Sequence, residues 1–190
     1  MKIGLLGGSF NPVHNGHLAI ARAATDALAL DAVWFLPSGN HPLKENTELW
    51  PYALRKKLLT IALQPYPHFQ LSELDADPST PSYTAQLIQR LQQKYPQHRF
   101  IFIIGYDIVP QLPRWHRFEW LISHAEFAVF TRPGFRPSEL QALPYATKFT
   151  FFTMPPVDIS STAIRQALER GEAVAHLLPP DVADAIQQER

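Results

Sequence analysis

Two histidines at the start of a predicted helix are the first residues in this sequence whose types and spacing suggest chemistry. His14 and His17 lie in the segment GGSFNPVHNGH, residues 7–17, between a short apolar run and a stretch with helical spacing. Gly7 and Gly8 would let a phosphate approach bare backbone N–H groups. A helix N-terminus also favours anions, and imidazole rings there can donate hydrogen bonds to a phosphoryl group. The segment is a candidate phosphate site, with an ordinary turn beside a surface histidine pair as the open alternative.

Two common phosphate-binding motifs do not fit this segment. A P-loop would continue into Gly-Lys-Ser or Gly-Lys-Thr, and neither follows the glycine pair. The dinucleotide fingerprint Gly-x-Gly-x-x-Gly is also absent from this position. The segment alone therefore does not establish a phosphate site, and a second anion-binding segment would strengthen the interpretation.

Such a second segment is DISSTAIR, residues 158–165. Its Ser/Thr cluster predicts a helix start at which hydroxyls and unpaired backbone N–H groups occur together. Arg165 follows early in that helix and can place two N–H donors on one phosphate. Alone, the segment would be an ordinary N-cap with a solvated arginine. Two anion-binding helix starts in one chain favour a shared phosphate site instead.

The elements that must position these segments alternate between strands and helices. This alternation predicts an α/β fold, a Rossmann-like open, mainly parallel sheet with helices on both faces. Ligands of such sheets bind at the carboxyl ends of the strands, where the first segment lies. No repeat or linker interrupts the chain, which predicts a single domain over residues 1–190 with an irregular excursion at 135–148. The predicted strands are 2–6, 32–36, 69–74, 99–104, 127–131 and 149–153, and the predicted helices are 16–30, 51–63, 85–94, 160–169 and 182–188.

Composition excludes several classes of function. Lys plus Arg equals Asp plus Glu, at 17 each, which argues against a general nucleic-acid binder because such a protein needs a basic face. The chain has no cysteine, so disulfides, zinc–thiolate sites and thiol nucleophiles are excluded. No stretch approaches the roughly 20 apolar residues of a membrane span, and no signal peptide is evident. We expect a soluble, cytoplasmic protein without membrane or nucleic-acid partners.

The two segments together resemble the paired signatures of a known superfamily. GSFNPVHNGH and ISSTAIR are similar to those of the nucleotidyltransferases with the His-x-Gly-His motif. Within that superfamily, the chain resembles the bacterial nicotinate mononucleotide adenylyltransferases over essentially its whole length. The further matching segments are PSGNHPLK at 37–44, Arg55, Glu73-Leu74, SYT at 82–84, GYD at 105–107, Trp115, RPG at 132–134 and LPPDV at 178–182.

The resemblance implies a role for each matching residue. It implies that ATP contacts Gly7, Gly8, Ser9, Phe10, His14, His17, Arg132, Ser161, Thr162 and Arg165. It implies that the acceptor contacts Asn40, Lys44, Thr84, Tyr106, Asp107 and Trp115, with the Trp115 ring stacking on a pyridine. Catalysis would rest on His14, His17, Lys44 and Arg165, with His17 nearest the reacting phosphorus.

Two positions depart from the family pattern. The usual Pro-Pro-His-Lys is His41-Pro42-Leu43-Lys44, and Tyr106 replaces a small residue between Gly105 and Asp107. Discrimination of a nicotinate acid from its amide would need hydrogen-bond donors. The candidates are the Thr84 hydroxyl and backbone N–H groups near Tyr106 and Trp115, helped by the charges of Arg114 and Arg117.

The implied reaction is adenylyl transfer from ATP to nicotinate mononucleotide, with Mg²⁺ bound to ATP and few or no protein ligands to the metal. Glu73, Asp75 and Asp77 have a metal-like spacing, but a strand-end turn is the preferred interpretation and no metal ligand is assigned. Phosphopantetheine adenylyltransferase is an alternative that shares both signatures. A regulatory module that binds nucleotide without turnover is another, although the intact histidines argue against it. Homo-oligomerisation is left open.

Overall fold

All strands of the central sheet run parallel. The computed structural model describes residues 1–39, 49–77, 79, 81–131, 140, 143–154 and 157–189. Within these residues the strands are β1 (Lys2–Gly8), β2 (Ala32–Pro37), β3 (Phe69–Leu71), β4 (Arg99–Gly105), β5 (Glu126–Thr131) and β6 (Phe149–Thr153). Their order across the sheet is β3-β2-β1-β4-β5-β6. β1 and β4 are therefore neighbours at the centre of the sheet, and the strand order reverses between them.

Helices cover both faces of this sheet. The described helices are α1 (Asn15–Leu28), α2 (Tyr52–Leu63), α3 (Thr84–Lys94), α4 (Phe118–His124), α5 (Ser161–Glu169) and α6 (Pro180–Gln188). The core on one face contains side chains of α1, α2, α5 and α6, and the core on the other face contains side chains of α3 and α4. Among the described helices, none combines the length and apolarity that a bilayer-spanning segment needs.

The two cores explain why the strand-like runs are apolar at nearly every position. In β4, Ile101 and Ile103 pack into the first core, whereas Phe100, Phe102 and Ile104 pack into the second. Successive side chains of a strand point to opposite faces, so a strand covered on both faces must be apolar throughout. The predicted Rossmann-like fold, with a parallel sheet between two helical layers, is confirmed.

The structure departs from the predicted elements at particular places. β1 continues through Gly7 and Gly8, which pair with Leu36 and Pro37 of β2, although the glycines were expected to end the strand. β3 is shorter than the predicted 69–74. Helix α4 was not predicted, because its 7 residues include Phe118, Trp120 and Ile122, which are types common in strands, and its N-cap makes no side-chain capping bond. Half of the excursion at 135–148, namely residues 135–139, 141 and 142, lies outside the described residues.

Candidate active site

A cleft of about 640 Å³ lies at the edge of the sheet where the central strands end. It is bounded by the segment after β1, the first turn of α1, the residue pair after β4 and the start of α5. Its lining residues are Gly8, Ser9, Asn11, His14, Gly16, His17, Ile20, Leu49, Asp107, Phe130, Met154, Val157, Ile159, Ser160, Ser161, Thr162 and Arg165. This is the carboxyl edge of the parallel strands, where α/β sheets bind their ligands.

The two histidines are locked to each other at the N-terminus of α1. The His14 backbone N–H donates to Nδ1 of His17 at 3.2 Å, and the His17 backbone N–H donates to the His14 carbonyl at 2.9 Å. Their ring centroids lie 3.8 Å apart with a tilt of 30°. Because Nδ1 of His17 accepts a hydrogen bond, the neutral ring carries its proton on Nε2. His17 is thus oriented as an Nε2–H donor.

The glycine between the histidines makes this arrangement possible. A Cβ atom on Gly16 would lie 2.9 Å from Nδ1 and 3.0 Å from Cε1 of His14. It would also lie 3.3 Å from a methyl group of Val157, which precedes α5. Any side chain at position 16 would therefore displace the His14 ring or the segment leading to α5. The spacing His-x-Gly-His follows from this close packing.

His14 is neutral at physiological pH. Its side chain is 6% exposed, and its Nδ1 atom has no hydrogen-bond partner among the described residues. Burial lowers the pKa of His14 from 6.5 to about 4, because the charged ring would be poorly solvated. A neutral His14 can interact with a phosphate through hydrogen bonding and not through net charge.

Burial of neutral His14 predicts an acid-dependent loss of stability. The unfolded chain binds a proton near pH 6.5 and the folded chain only near a pKa of about 4, so the free energy of unfolding should fall as pH drops through that window. The expected loss is about 3 kcal/mol. Urea unfolding of the wild type and of His14→Gln at pH 7.0 and near pH 4 would measure this loss as a difference between the two proteins. Other groups, such as Asp75, titrate in both proteins, so their effect cancels in the difference. A pH-independent difference between the two proteins would contradict the prediction.

The N-terminus of α5 faces the same cleft. Ser160 is the N-cap, and its hydroxyl accepts the Ala163 backbone N–H at 3.1 Å, as predicted for this position. Neither α1 nor α5 has an acidic residue in its first turn. The positive ends of two helix dipoles and their unpaired first-turn N–H groups therefore point at one cavity. Such a cavity suits a ligand with several phosphate charges.

Side chains of α5 also hold the segment after β1. The Ser161 hydroxyl donates to the Pro12 carbonyl at 2.9 Å, and Nη1 of Arg165 donates to the Asn11 carbonyl at 2.9 Å. From the other side, the Trp50 backbone N–H donates to Oδ1 of Asn11 at 2.9 Å. These contacts fix the segment at residues 7–17 against the helix start at residues 158–165. Arg165 combines this structural role with a place on the cleft wall.

The structure brings together most of the residues that were predicted to bind ATP. Gly8, Ser9, His14, His17, Ser161, Thr162 and Arg165 all line the cleft. The other two that the structure describes, Gly7 and Phe10, are absent from the cleft lining. Gly7 lies against the Phe102 ring, to which its Cβ position is 3.2 Å distant. Phe10 is buried, with its ring centroid 4.9 Å from that of His17, so it supports the histidine from beneath.

The predicted acceptor residues divide between the cleft and a neighbouring region. Asp107 lines the cleft, and Gly105 leaves room for its carboxylate. Thr84, Tyr106 and Trp115 are half-buried and lie outside the cleft lining. The Trp115 ring meets the Phe102 ring edge-on at 6.2 Å. Since Phe102 also lies against the Gly7 position, Trp115 adjoins the end of β1 from the second face of the sheet. The remaining predicted residues, Asn40, Lys44 and Arg132, lie outside the described residues.

Sequence reasoning missed the apolar part of the cleft. Ile20, Phe130, Met154, Val157 and Ile159 line it, and none was predicted as a site residue. Their types and spacing are those of core residues, so the sequence carries no signal that separates them from the core. They add a surface that can receive the flat ring of a nucleobase, in the way that ligand pockets combine apolar walls with a few polar groups.

The described residues do not form a metal cage of protein ligands. No group of three or more His, Asp or Glu side chains among them is placed to hold a metal ion. Asp107 is the carboxylate that lines the described part of the cleft. Mg²⁺ keeps most of its waters and commonly binds through substrate phosphates, so a phosphate-binding cleft of this kind fits a metal that arrives with its nucleotide.

Comparison with known proteins places this geometry in a family. The cytidylyltransferase-like family model matches residues 5–167. A protein of Exiguobacterium sibiricum named "Probable nicotinate-nucleotide adenylyltransferase" is 41% identical over 99% of this chain and 97% of its own length. The nicotinate-nucleotide adenylyltransferase of Bacillus subtilis is 33% identical over 98% of this chain and 96% of its own length.

Solved structures agree with this assignment at the level of the fold. The nicotinic acid mononucleotide adenylyltransferase of Plasmodium falciparum complexed with NaAD superposes with a TM-score of 0.83 at 21% identity. The match covers 99% of this chain and 95% of that one. The same enzyme complexed with APC gives a TM-score of 0.81 at 20% identity, with equal coverage.

Proposed function

The chain belongs to the cytidylyltransferase-like family and, within it, to the nicotinate-nucleotide adenylyltransferases, and from this we propose that it transfers AMP from ATP to nicotinate mononucleotide. The products are nicotinate adenine dinucleotide and pyrophosphate, which places the enzyme in NAD biosynthesis. The observation that carries the proposal is the pair of helix N-termini, those of α1 and α5, that face one cleft beside His14 and His17.

The reaction needs alignment and charge stabilisation more than acid–base chemistry. An oxygen of the acceptor's 5′-phosphate forms a bond to the α-phosphorus of ATP, while the bond from that phosphorus to the β-phosphate oxygen breaks. The nucleophile is already anionic, so no general base is required. Catalysis then consists of holding the two phosphates in line and stabilising the charge that spreads over the phosphoryl oxygens.

The residues of the cleft take distinct roles in this mechanism. Nε2–H of His17 donates to the oxygens of the reacting α-phosphate, with the orientation set by its Nδ1 contact to the His14 N–H. The N-terminus of α5 with Thr162 and Arg165 receives the β- and γ-phosphates. The segment Gly8–Ser9 meets the nucleotide through its backbone. Lys44 and Arg132 are proposed to reach the phosphates as the family resemblance implies.

The acceptor is proposed to lie toward Thr84, Tyr106 and Trp115, with Asp107 between it and the adenylyl half of the cleft. Asn40 and Lys44 complete this set by resemblance. The support is chemical as well as familial, because Phe102 and Trp115 bring an aromatic surface to the β1 end of the cleft. A pyridine ring suits such a surface.

Several further features belong to the same proposal. Mg²⁺ bound with ATP would supply positive charge to the phosphoryl oxygens, and no described side-chain cluster would be needed to hold it. Residues 1–190 form a single nucleotidyltransferase domain, which is supported by one sheet with a core on each face. We propose a cytoplasmic enzyme that binds small molecules and no nucleic acid, and its assembly into homo-oligomers is left to measurement.

Pyrophosphate release measured with several acceptors tests the proposed function. The protein is incubated with ATP, Mg²⁺ and, separately, nicotinate mononucleotide, nicotinamide mononucleotide and 4′-phosphopantetheine. We expect release with the first acceptor and little without an acceptor. Pyrophosphate release with 4′-phosphopantetheine and with neither mononucleotide would instead indicate an enzyme of coenzyme A synthesis. Nucleotide binding without release for any acceptor would indicate a non-catalytic module.

Arg165→Ala should weaken the binding of ATP and pyrophosphate while leaving acceptor affinity nearly unchanged. The guanidinium is proposed to bind the distal phosphates, and a hydrogen bond to a charged group contributes about 1.5–3 kcal/mol, or roughly 10- to 10²-fold in affinity. Calorimetry on each ligand separately measures the change. Arg170→Ala, on the exposed end of the same helix, is the control with equal charge loss. Equal losses for ATP and acceptor would point to a disturbed loop instead.

A further inference from the structure

We propose that Arg55 is a positioning residue for adenylyl transfer, which sets the backbone of the two loops beside the cleft and does not itself contact substrate. The inference rests on the proposed function for its reaction, and on the geometry of α2 for its residue. Arg55 is 2% exposed, although it carries a charge, and it is absent from the cleft lining. Burying a charge is costly unless its hydrogen bonds are satisfied.

Three donors of the Arg55 guanidinium bind backbone carbonyls from separate segments. Nη1 donates to the Ser9 carbonyl at 2.6 Å, after β1, and Nη2 donates to the Ser38 carbonyl at 3.0 Å, after β2. Nε donates to the Trp50 carbonyl at 3.0 Å, just before α2. The Ser38 backbone N–H also donates to the Gly8 carbonyl at 3.0 Å, which joins the two loops directly. One rigid fork thus fixes the ends of two neighbouring strands at the substrate edge.

The contact to Ser9 determines the direction of the adjoining N–H group. The Ser9–Phe10 peptide bond is trans, so the Phe10 N–H points opposite to the Ser9 carbonyl and away from Arg55. Ser9 itself lines the cleft. A rotation of this peptide would therefore aim a carbonyl where an N–H group now points, and it would reverse the local dipole beside the cleft. Arg55 prevents that rotation by holding the carbonyl in the interior.

The charge of Arg55 is not neutralised by a described acidic residue. No ion pair joins it to any Asp or Glu in the described part of the chain, and its guanidinium carbon lies 5.3 Å from the centroid of the Tyr52 ring. Burial lowers the pKa of Arg55, yet arginine stays protonated in proteins. A lysine would retain the charge but not the planar fork that reaches three carbonyls. Arg55→Lys therefore separates positioning from charge.

The test compares Arg55→Lys and Arg55→Ala with Leu63→Ala. Leu63 is a buried residue at the far end of the same helix, so its truncation lowers the melting temperature without touching the loops. All proteins are assayed well below their melting temperatures for kcat and for KM of ATP. We expect Arg55→Lys to lose about 10²-fold in kcat with a smaller change in KM, since small misplacements of reacting groups cost that much. Leu63→Ala should keep kcat near the wild-type value.

Chemical rescue supplies a second, independent readout. Guanidinium ion should restore part of the kcat of Arg55→Ala, whereas sodium chloride at equal ionic strength should not. The proposal would be overturned if the kcat of Arg55→Lys equalled that of Leu63→Ala. It would also be overturned if Arg55→Ala folded but guanidinium restored none of its kcat. If Arg55→Ala does not fold, Arg55→Lys decides alone. A wild-type protein that makes no dinucleotide would defeat the proposed function instead. The positioning proposal would then be judged by calorimetric ATP affinity, which should fall in Arg55→Lys and not in Leu63→Ala.

Discussion

His17→Ala should lower kcat by about 10²–10³-fold while changing KM for ATP much less, by analogy with the loss of one oxyanion-hole donor. The reason is that the Nε2–H of His17 meets charge that develops during transfer, and an interaction made only in the transition state affects kcat. The orientation of this donor is fixed by the His14 N–H contact to Nδ1 at 3.2 Å and by Phe10 beneath the ring. The variant should therefore bind ATP nearly as well as the wild type.

Two further variants sharpen the His17 prediction. His17→Gln carries an amide N–H that can approach the Nε2 position, so it should retain more activity than His17→Ala. His68→Ala, which removes an exposed histidine before β3, should match the wild type. Steady-state kinetics with varied ATP and saturating acceptor give both parameters. A near-normal kcat for His17→Ala would remove His17 from the mechanism.

Nicotinate mononucleotide should be preferred over nicotinamide mononucleotide by about 10²–10⁴-fold in kcat/KM, if two hydrogen bonds of roughly 1.5–3 kcal/mol each recognise the carboxylate. The amide would also turn its NH₂ group toward those same donors, which adds a penalty against it. Tyr106 is the residue that could oppose this preference, because its hydroxyl can accept a hydrogen bond from an amide.

The structure narrows the donors available for this discrimination. The backbone N–H of Tyr106 donates to the Phe130 carbonyl at 3.1 Å, and that of Trp115 donates to the Leu112 carbonyl at 2.9 Å, so these two N–H groups are already bonded within the protein. Arg117 Nη1 donates to Gln89 Oε1 at 3.0 Å. The Thr84 hydroxyl and the exposed Arg114 guanidinium are two side-chain donors that the sequence suggested.

Variants of these two residues test the selectivity. Thr84→Val and Arg114→Gln should each reduce the acid-to-amide ratio by about 10- to 10²-fold, the value of one hydrogen bond to a charged group. Thr60→Val, on the exposed side of α2, is the matched control, because its hydroxyl donates to the Lys56 carbonyl in the same helix. A wild-type ratio near one, or a preference for the amide, would contradict the acceptor assignment and leave adenylyl transfer intact.

The sequence could predict the two helix starts that line the cleft because their signals are local. His14, His17 and the serine cap at Ser160 are recognisable from spacing within one turn of helix, and the alternation of elements placed them at the carboxyl edge of a sheet. The same local reasoning could not predict that Ser161 and Arg165 bind the carbonyls of Pro12 and Asn11, since these contacts join residues about 150 positions apart in the chain.

Other features depended on backbone directions that no pattern of residue types reveals. The Tyr106 N–H bonds to Phe130 of the neighbouring strand β5, and the Trp115 N–H closes a local turn, and only the folded backbone determines these partners. Arg55 could be matched to a family signature, but its three carbonyl partners come from separate segments after β1, after β2 and before α2, which meet only in the folded chain. The apolar lining at Phe130 and Met154 resembles core in every respect except its position.

Transfer of label from ATP tests the central claim most directly. The protein is incubated with nicotinate mononucleotide, Mg²⁺ and ATP labelled with ³²P at either the α- or the γ-phosphate, and the products are separated. The account predicts that α-label appears in the dinucleotide and that γ-label appears in pyrophosphate. His17→Ala should form little of either labelled product. Label from the γ-position on the mononucleotide, or label from the α-position in AMP alone, would contradict adenylyl transfer as the function of this cleft.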